Sequence, residues 1–105
     1  MQKPKALRPK GVKVKLLTED SKTKLRAELI TIKPGTTLPT HRHTNFEWVY
    51  VVDGEFRDEF GRYKKGSFKM NAKNSVHTSS SVTGCTLLVI RAGAYVATTP
   101  PYAKK

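Results

Sequence analysis

The hydrophobic and polar positions of this chain alternate in short segments that are typical of β-strands. Val12, Val14 and Leu16 fall on one side of the segment VKVKL, with lysines between them. Three further segments are rich in apolar and β-branched residues: KLRAELITIK (24–33), EWVYVV (47–52) and CTLLVIRAG (85–93). No window of three turns has apolar residues at helical spacing behind a capping residue. The pattern therefore predicts an all-β protein.

Turn residues separate these segments at the spacing expected of a β-sandwich or barrel. Asp53-Gly54 lies between EWVYVV and EFRDEF, and we expect a hairpin there because glycine accepts a positive φ. Gly61 and Gly66 mark the next two turns. We expect CTLLVIRAG to form a central strand, because it is apolar along its length.

The segment EWVYVV is apolar on both faces of the strand that it predicts. Val49 and Val51 share a face with Glu47 and are expected to point inward. The opposite face also carries large apolar side chains, namely Trp48, Tyr50 and Val52. One face must be covered by the second sheet and the other by a tail, a neighbouring segment or a partner subunit. We therefore expect a homodimer.

The length of 105 residues predicts one domain, which we assign to residues 12–98. A basic N-terminal arm (1–11) precedes it, and a C-terminal tail (99–105) follows it. We expect no signal peptide and no membrane anchor, because no apolar run is long enough for either. The single cysteine, Cys85, excludes an internal disulfide and fits a reducing compartment, so we expect a cytoplasmic protein.

The charge of the chain is strongly positive. Lysine and arginine number 20 against 8 acidic residues, giving a net charge of +12. Such a charge favours contact with nucleic acid, but no recognition module accompanies it, and solubility is the preferred explanation. A basic nucleic-acid-binding β-barrel stays an alternative, because aromatic side chains on a sheet can stack on bases, here Phe46, Trp48, Tyr50, Phe56 and Phe60.

Candidate metal ligands lie in the segment HRHTNFE. Residues two apart on a strand share a face, so His41 and His43 would point the same way and Arg42 the other. Glu47 begins the next strand and can face the same cavity. Two imidazoles and a carboxylate suit Fe(II), Mn(II), Zn(II), Ni(II) or Cu(II). A His-x-His pair alone is also common on exposed strands, and His77, in a polar segment, is by itself more often exposed than a ligand.

Residues 35–81 resemble the two signature motifs of the cupins. The first motif is filled at every fixed position and spacing, by Gly35, His41, His43, Glu47 and Gly54. In the second motif Gly66 and His77 fit, whereas other residues replace the family's proline, glycine and asparagine, namely Ala72, Asn74 and Ser81. Asparagine tolerates the left-handed conformation of a turn glycine, so the turn before His77 can be kept.

This resemblance implies a double-stranded β-helix, the jelly-roll barrel of RmlC-like cupins, which commonly dimerise. It implies one divalent metal ion (Fe, Zn, Mn or Ni) held by His41, His43, Glu47 and His77. The order HRHTNFEWVYVVDGEFRDEFGRYKKGSF, with its D-E-x-G-x-Y hairpin, looks more narrowly like the zinc-binding cupin-like domain of anti-sigma factors and like small cupins near the acetylacetone-cleaving dioxygenases. In those dioxygenases three histidines bind the metal and the glutamate need not bind it. The resemblance therefore leaves Glu47 as a ligand or as a base beside the metal.

The implied function is that of a small metal-dependent enzyme, with dioxygenase-like or Lewis-acid chemistry on a small oxygenated molecule. The alternative is a non-catalytic cupin that binds a metal or ligand and regulates a partner. The pattern assigns no catalytic or substrate-binding residue. Four side chains are candidates for the pocket mouth or the core, namely Phe46, Phe56, Phe68 and Met70.

Overall fold

The computed structural model describes residues 10–92 and the backbone of residues 95–97. Every regular element within these residues is a β-strand. In chain order they are β1 (Val12–Glu19), β2 (Arg26–Ile32), β3 (Thr36–Thr37), β4 (His41–His43), β5 (Glu47–Asp58), β6 (Gly61–Lys64), β7 (Phe68–Asn71), β8 (Val76–His77), β9 (Ser80–Ser81), β10 (Cys85–Arg91) and β11 (Tyr95–Ala97). The predicted all-β class is confirmed. Within the described residues, no helix is long and apolar enough to cross a membrane.

Two antiparallel sheets curl towards each other. The larger has eight strands in the order β1-β2-β10-β5-β9-β3, with β6 and β7 also paired to β5. The smaller has the order β11-β4-β8. β10 lies between β2 and β5, as expected of the central strand predicted at residues 85–93.

The predicted hairpin at Asp53-Gly54 is wrong, because β5 continues through both residues to Asp58. The register against β10 slips by one residue here, since Leu87 pairs with Val51 and Thr86 with Asp53. The extra residue of this β-bulge is Val52, and Gly54, two residues on, has a φ of 77° within the paired strand rather than in a turn. The bulge lets the first half of β5 pair with β10 and β7, and the second half with β6 and β9.

The interior is formed by the inward faces of β2, β5 and β10. Its buried apolar side chains are Ile30, Ile32, Val49, Val51, Phe56, Cys85, Leu87 and Val89. Val12 and Val14 of the edge strand β1 pack against this cluster and are partly buried. The predicted inward direction of Val49 and Val51 is confirmed, as is the outward direction of Trp48, Tyr50 and Val52.

The outer face of the larger sheet is also apolar. Trp48 stacks on Phe68 with ring centroids 5.2 Å apart, and Tyr50 contacts the same phenylalanine at 6.5 Å. Phe68 and Met70 therefore belong to this exposed face rather than to a pocket mouth. Of the four candidates for the mouth or the core, only Phe56 is buried inside.

The ends of the chain lie largely outside the described residues. Only Lys10 and Gly11 of the predicted arm at 1–11 are described, and none of the predicted tail at 99–105. Strand β1 begins at Val12, which is also the first residue of the predicted domain. The domain boundaries themselves stay a prediction.

Candidate metal centre

All three histidines of the chain meet at one place, inside the curled sheets. His41 and His43 alternate along β4 with Arg42, and both histidines are buried whereas Arg42 is half-buried. Strand β4 pairs with β8 in a register that sets His41 opposite His77. His77 is 5% exposed, so it is not the surface residue that its polar segment alone favoured.

The turn before His77 is built as the sequence predicted. Asn74 has a φ of 70°, the left-handed conformation that glycine supplies in the cupin motif. The backbone N–H and the hydroxyl of Ser75 both donate to the carbonyl of Ala72, at 3.0 and 2.6 Å. The departures at Ala72 and Asn74 thus leave the turn intact, and β8 pairs with β4.

The three rings aim the same nitrogen at a common point. Nε2 of His77 lies 3.0 Å from Nε2 of His43 and 2.9 Å from Nε2 of His41. On its far side, His41 uses Nδ1 to contact the carbonyl oxygen of Pro39 at 2.9 Å. Likewise Nδ1 of His77 contacts the carboxylate of Asp58 at 3.1 Å.

These contacts fix where the ring protons are. A carbonyl and a carboxylate oxygen only accept, so Nδ1 carries the hydrogen in His41 and His77, and Nε2 carries a lone pair. The lone pairs of His41 and His77, at 2.9 Å, repel each other unless a proton or a metal ion lies between them. Nitrogens bound to one metal ion at about 2.1 Å with right angles between the bonds are about 3.0 Å apart. The donor set therefore fits a divalent ion, which the three histidines would hold.

Burial keeps the first two histidines neutral. Desolvation is the main cause that lowers the pKa of His41 to about 4, and the nearby His77 lowers it further. Desolvation likewise lowers the pKa of His43 to about 3, helped by His77 and His41. Both imidazoles are thus unprotonated at neutral pH, as metal ligands must be.

Glu47 lies beside this cluster rather than at its centre. Its Oε1 is 3.8 Å from Nδ1 of His43 and accepts a hydrogen bond of 2.8 Å from Nδ2 of Asn71. The group whose ligand atoms lie within 4.8 Å of one another consists, among the described residues, of the three histidines. Glu47 as a ligand stays a prediction; its position also suits a base at the edge of the site.

A cavity that is partly open to the surface adjoins the histidines. It has a volume of about 80 Å³, enough for several water molecules or a small organic molecule. His41, His77 and Glu47 line one side of it. Most of the remaining wall is apolar, formed by residues that include Ile30, Val49, Phe56, Leu87 and Val89.

Three buried charged side chains near the site had no signal in the sequence that tied them to it. Asp58 was noted only as part of a hairpin pattern, and its contact with His77 joins residues 19 apart. Burial raises the pKa of Asp58, but hydrogen bonds from His77 and Lys69 outweigh this and hold that pKa below its usual range. Arg91 and Glu28 form a buried ion pair at 2.8 Å. Only the strand pairing brings these residues together.

Comparison with known proteins agrees with this geometry. The family model described as the ChrR cupin-like domain matches residues 4–95. The chain belongs to the ChrR cupin-like domain family. This membership, the jelly-roll strands and the buried histidines confirm the cupin fold that the motifs predicted. A search of curated proteins gave no match.

Solved cupin structures resemble this family member closely. An RmlC-like cupin from Ralstonia eutropha is 26% identical, with a TM-score of 0.74 over 86% of this chain and 61% of that one. A chain in the structure of Rhodobacter sphaeroides SigE with the anti-sigma ChrR is 28% identical, with a TM-score of 0.68 over 76% of this chain and 43% of that one. An acetylacetone dioxygenase from Acinetobacter johnsonii shares the fold at 13% identity, with a TM-score of 0.74 over 81% of this chain and 62% of that one. The chain thus spans less than two thirds of each of these proteins.

Proposed function

We propose that this chain is a metal-dependent enzyme that acts on a small oxygenated molecule. The observation that carries the proposal is the cavity beside the triad. A structural zinc site is usually closed by four protein ligands, whereas a catalytic site keeps a position open for water or substrate. Here His41 and His77 form part of the cavity wall, so a ligand in the cavity would reach the metal position.

The cavity wall restricts the substrate to a small and mainly uncharged molecule. No lysine or arginine lines the cavity among the described residues. Arg91, which is buried nearby, is paired with Glu28. A substrate would place one or two oxygen atoms towards the histidines and an apolar part against Val49 and Leu87.

A divalent ion (Fe, Zn, Mn or Ni) held there would supply Lewis-acid chemistry or, as iron, the activation of O₂. The residues of the chain would orient the substrate and exclude water. Glu47 would take part either as a fourth ligand or as the base that accepts a substrate proton. Asn71 donates to Oε1 of Glu47 at 2.8 Å and so holds the carboxylate beside the histidines.

Cobalt provides the test of an open site. We expect purified protein to bind one Co²⁺, and its visible spectrum to change when azide is added. His41→Ala and His77→Ala should abolish stoichiometric binding. Arg42→Ala is the matched control, because it removes the side chain between the two histidines of β4 and should keep the metal. Failure of the wild-type protein to bind any divalent ion would refute the proposal.

A regulatory role is the second candidate. Its support is the ChrR family itself and the 28% identity to a chain in the SigE–ChrR complex. A regulatory site would hold zinc tightly, with Glu47 as the fourth ligand and no open position. In that case Glu47→Gln should weaken zinc binding by on the order of tenfold or more, and azide should leave the cobalt spectrum unchanged.

We also propose that a second copy of the chain covers the outer face of the larger sheet. The stacked pair Trp48 and Phe68 lies on this face and is partly exposed. The register places Asp53, Thr86, Thr31 and Lys13 in one row across the sheet. A two-fold axis along the strands, between β10 and β2, would bring Asp53 opposite Lys13 of the other copy.

Sedimentation measures the dimer directly. We expect wild-type protein to sediment as a dimer and Trp48→Glu as a folded monomer. The exchange Asp53→Lys should also weaken the dimer, and the double exchange Asp53→Lys with Lys13→Asp should restore it. A wild-type protein that is monomeric at all concentrations would contradict this part of the proposal.

A further inference from the structure

Behind His77, on the side away from the other two rings, a carboxylate is completely buried. The side chain of Asp58 is 0% exposed. Its Oδ2 accepts from Nδ1 of His77 at 3.1 Å and from Nζ of Lys69 at 2.8 Å. Its Oδ1 accepts from the hydroxyl of Tyr63 at 3.1 Å and from the backbone N–H of Phe60 at 2.8 Å. Four donors from four different residues thus hold this one group.

The surroundings of Asp58 are built to hold a charge. A buried carboxylate is costly unless a cation and hydrogen bonds compensate it. Lys69 supplies the cation with a side chain that is 16% exposed, and its Nζ also donates to the hydroxyl of Tyr63 at 3.1 Å. The same Nζ lies 4.2 Å from the centre of the Tyr63 ring. The network therefore links strands β5, β6 and β7 to His77 of β8.

A side chain orients the ring of His77, whereas the Nδ1 contact of His41 is to the backbone. His41 is held by a backbone carbonyl, which no substitution of a side chain removes. His77 lies on a strand of two residues, and the carboxylate of Asp58 orients its ring by accepting a hydrogen bond from Nδ1. Because a carboxylate accepts and does not donate, it selects the form of the ring with hydrogen on Nδ1 and a free lone pair on Nε2.

We propose that Asp58 is a positioning residue for the metal site: it holds His77 in the Nδ1–H form with Nε2 directed at the triad, and Lys69 and Tyr63 hold Asp58. This inference rests on the proposed metal function. Outer partners of this kind typically change metal affinity by about 10- to 100-fold. Asp58 is not itself a cavity-lining residue and contacts His77 on the side away from the other two rings, so its effect is transmitted through His77.

Two measurements on Asp58→Asn and Asp58→Ala test the proposal. Competition with a chromophoric chelator should show Co²⁺ and Zn²⁺ bound about 10- to 100-fold more weakly than in the wild-type protein. Long-range ¹H–¹⁵N NMR of the metal-free protein should show His77 as the Nδ1–H form in the wild type and as a mixture in both variants. His41 should keep its form throughout, because Pro39 provides its acceptor.

Asp20→Asn is the matched control, since it makes the same chemical change at an exposed position between β1 and β2. It should leave both the metal affinity and the His77 spectrum unchanged. If Asp58→Ala fails to fold, the isosteric Asp58→Asn variant still decides the question. An unchanged His77 form together with unchanged affinity in that variant would overturn the proposal. If wild-type protein binds no metal, the proposed function fails, while the NMR measurement still reports whether Asp58 sets the form of His77.

Discussion

A single methyl group at Gly54 should damage this fold severely. An alanine Cβ there would lie 2.1 Å from the carbonyl oxygen of Gly84 and 2.8 Å from Cα of Cys85. Non-bonded carbon atoms pack at about 3.5 to 4.0 Å, so strands β5 and β10 would have to separate at the bulge. Both contacts are with backbone atoms, which cannot turn aside as the end of a side chain can.

Gly35 provides a control with the same backbone conformation. Its φ is 77°, equal to that of Gly54, yet an added Cβ would meet nothing within 4 Å. The left-handed conformation costs an alanine about 1–2 kcal/mol, and the lower entropy of the unfolded chain offsets about 0.4–1 kcal/mol of this. Gly35→Ala should therefore lose about 1 kcal/mol. Overpacking at Gly54 adds about 1–3 kcal/mol, so Gly54→Ala should lose about 2–4 kcal/mol.

Urea unfolding followed by the fluorescence of Trp48, the single tryptophan of the chain, measures both variants. A difference of about 2 kcal/mol corresponds to roughly 8–16 °C in the melting temperature of a domain of this size. Equal losses in the two variants would refute the reasoning, because they would show that backbone conformation alone sets the cost. A loss at Gly35 larger than at Gly54 would refute the assignment of the bulge as well.

Three further predictions concern the buried polar groups. Arg91→Met should lower the free energy of unfolding by about 3 kcal/mol, because among the described residues it leaves the buried Glu28 carboxylate with Arg26, at 3.5 Å, as its remaining ion-pair partner. Replacing both Arg91 and Glu28 by methionine should cost less, as urea unfolding would show. In metal-free protein, the free energy of unfolding should fall as the pH drops below about 6.5. The pKa values of His41 and His43 are about 4 and 3 in the folded chain and return to about 6.5 on unfolding, so the unfolded chain binds more protons below that pH. The double variant His41→Gln, His43→Gln should show a weaker fall, and equal slopes would contradict the assignment. Removing the metal with a chelator should lower the melting temperature of the wild-type protein but not that of His77→Ala. A free metal concentration of 100 times the dissociation constant adds about 2.7 kcal/mol to the free energy of unfolding.

The sequence was informative where the signal was local. Alternation placed Val49 and Val51 inside, and the asparagine at position 74 took over the glycine conformation that the motif requires. The Asp53-Gly54 prediction failed because a glycine with a positive φ occurs beside a β-bulge as well as in a hairpin turn. The close approach of Gly84, the residue before β10, shows that Gly54 lies inside a paired strand, and no local pattern contains that approach.

Some residues of the candidate site were likewise predictable from the sequence, and others only from the fold. The His-x-His spacing alone left exposure and ligation equally open, and the resemblance to the cupin motifs had to supply His77. The register between β4 and β8 then sets His41 opposite His77. Asp58 and Lys69 lie outside the motif positions matched here, because a carboxylate and an ammonium group on a strand are ordinary until the fold buries them against each other.

The three histidines and their supports come from different sheets, which ties a bound metal to the fold. His41 and His43 lie on β4 and His77 on β8, strands of three and two residues in the smaller sheet. Asp58, Lys69 and Glu47 belong to β5 and β7 of the larger sheet. Because β4 and β8 are so short, they have little backbone pairing. The position of these two strands therefore depends on side-chain contacts between the two sheets. A metal held by the histidines would add bonds where backbone pairing is weakest, and Asp58 would transmit that restraint to the larger sheet.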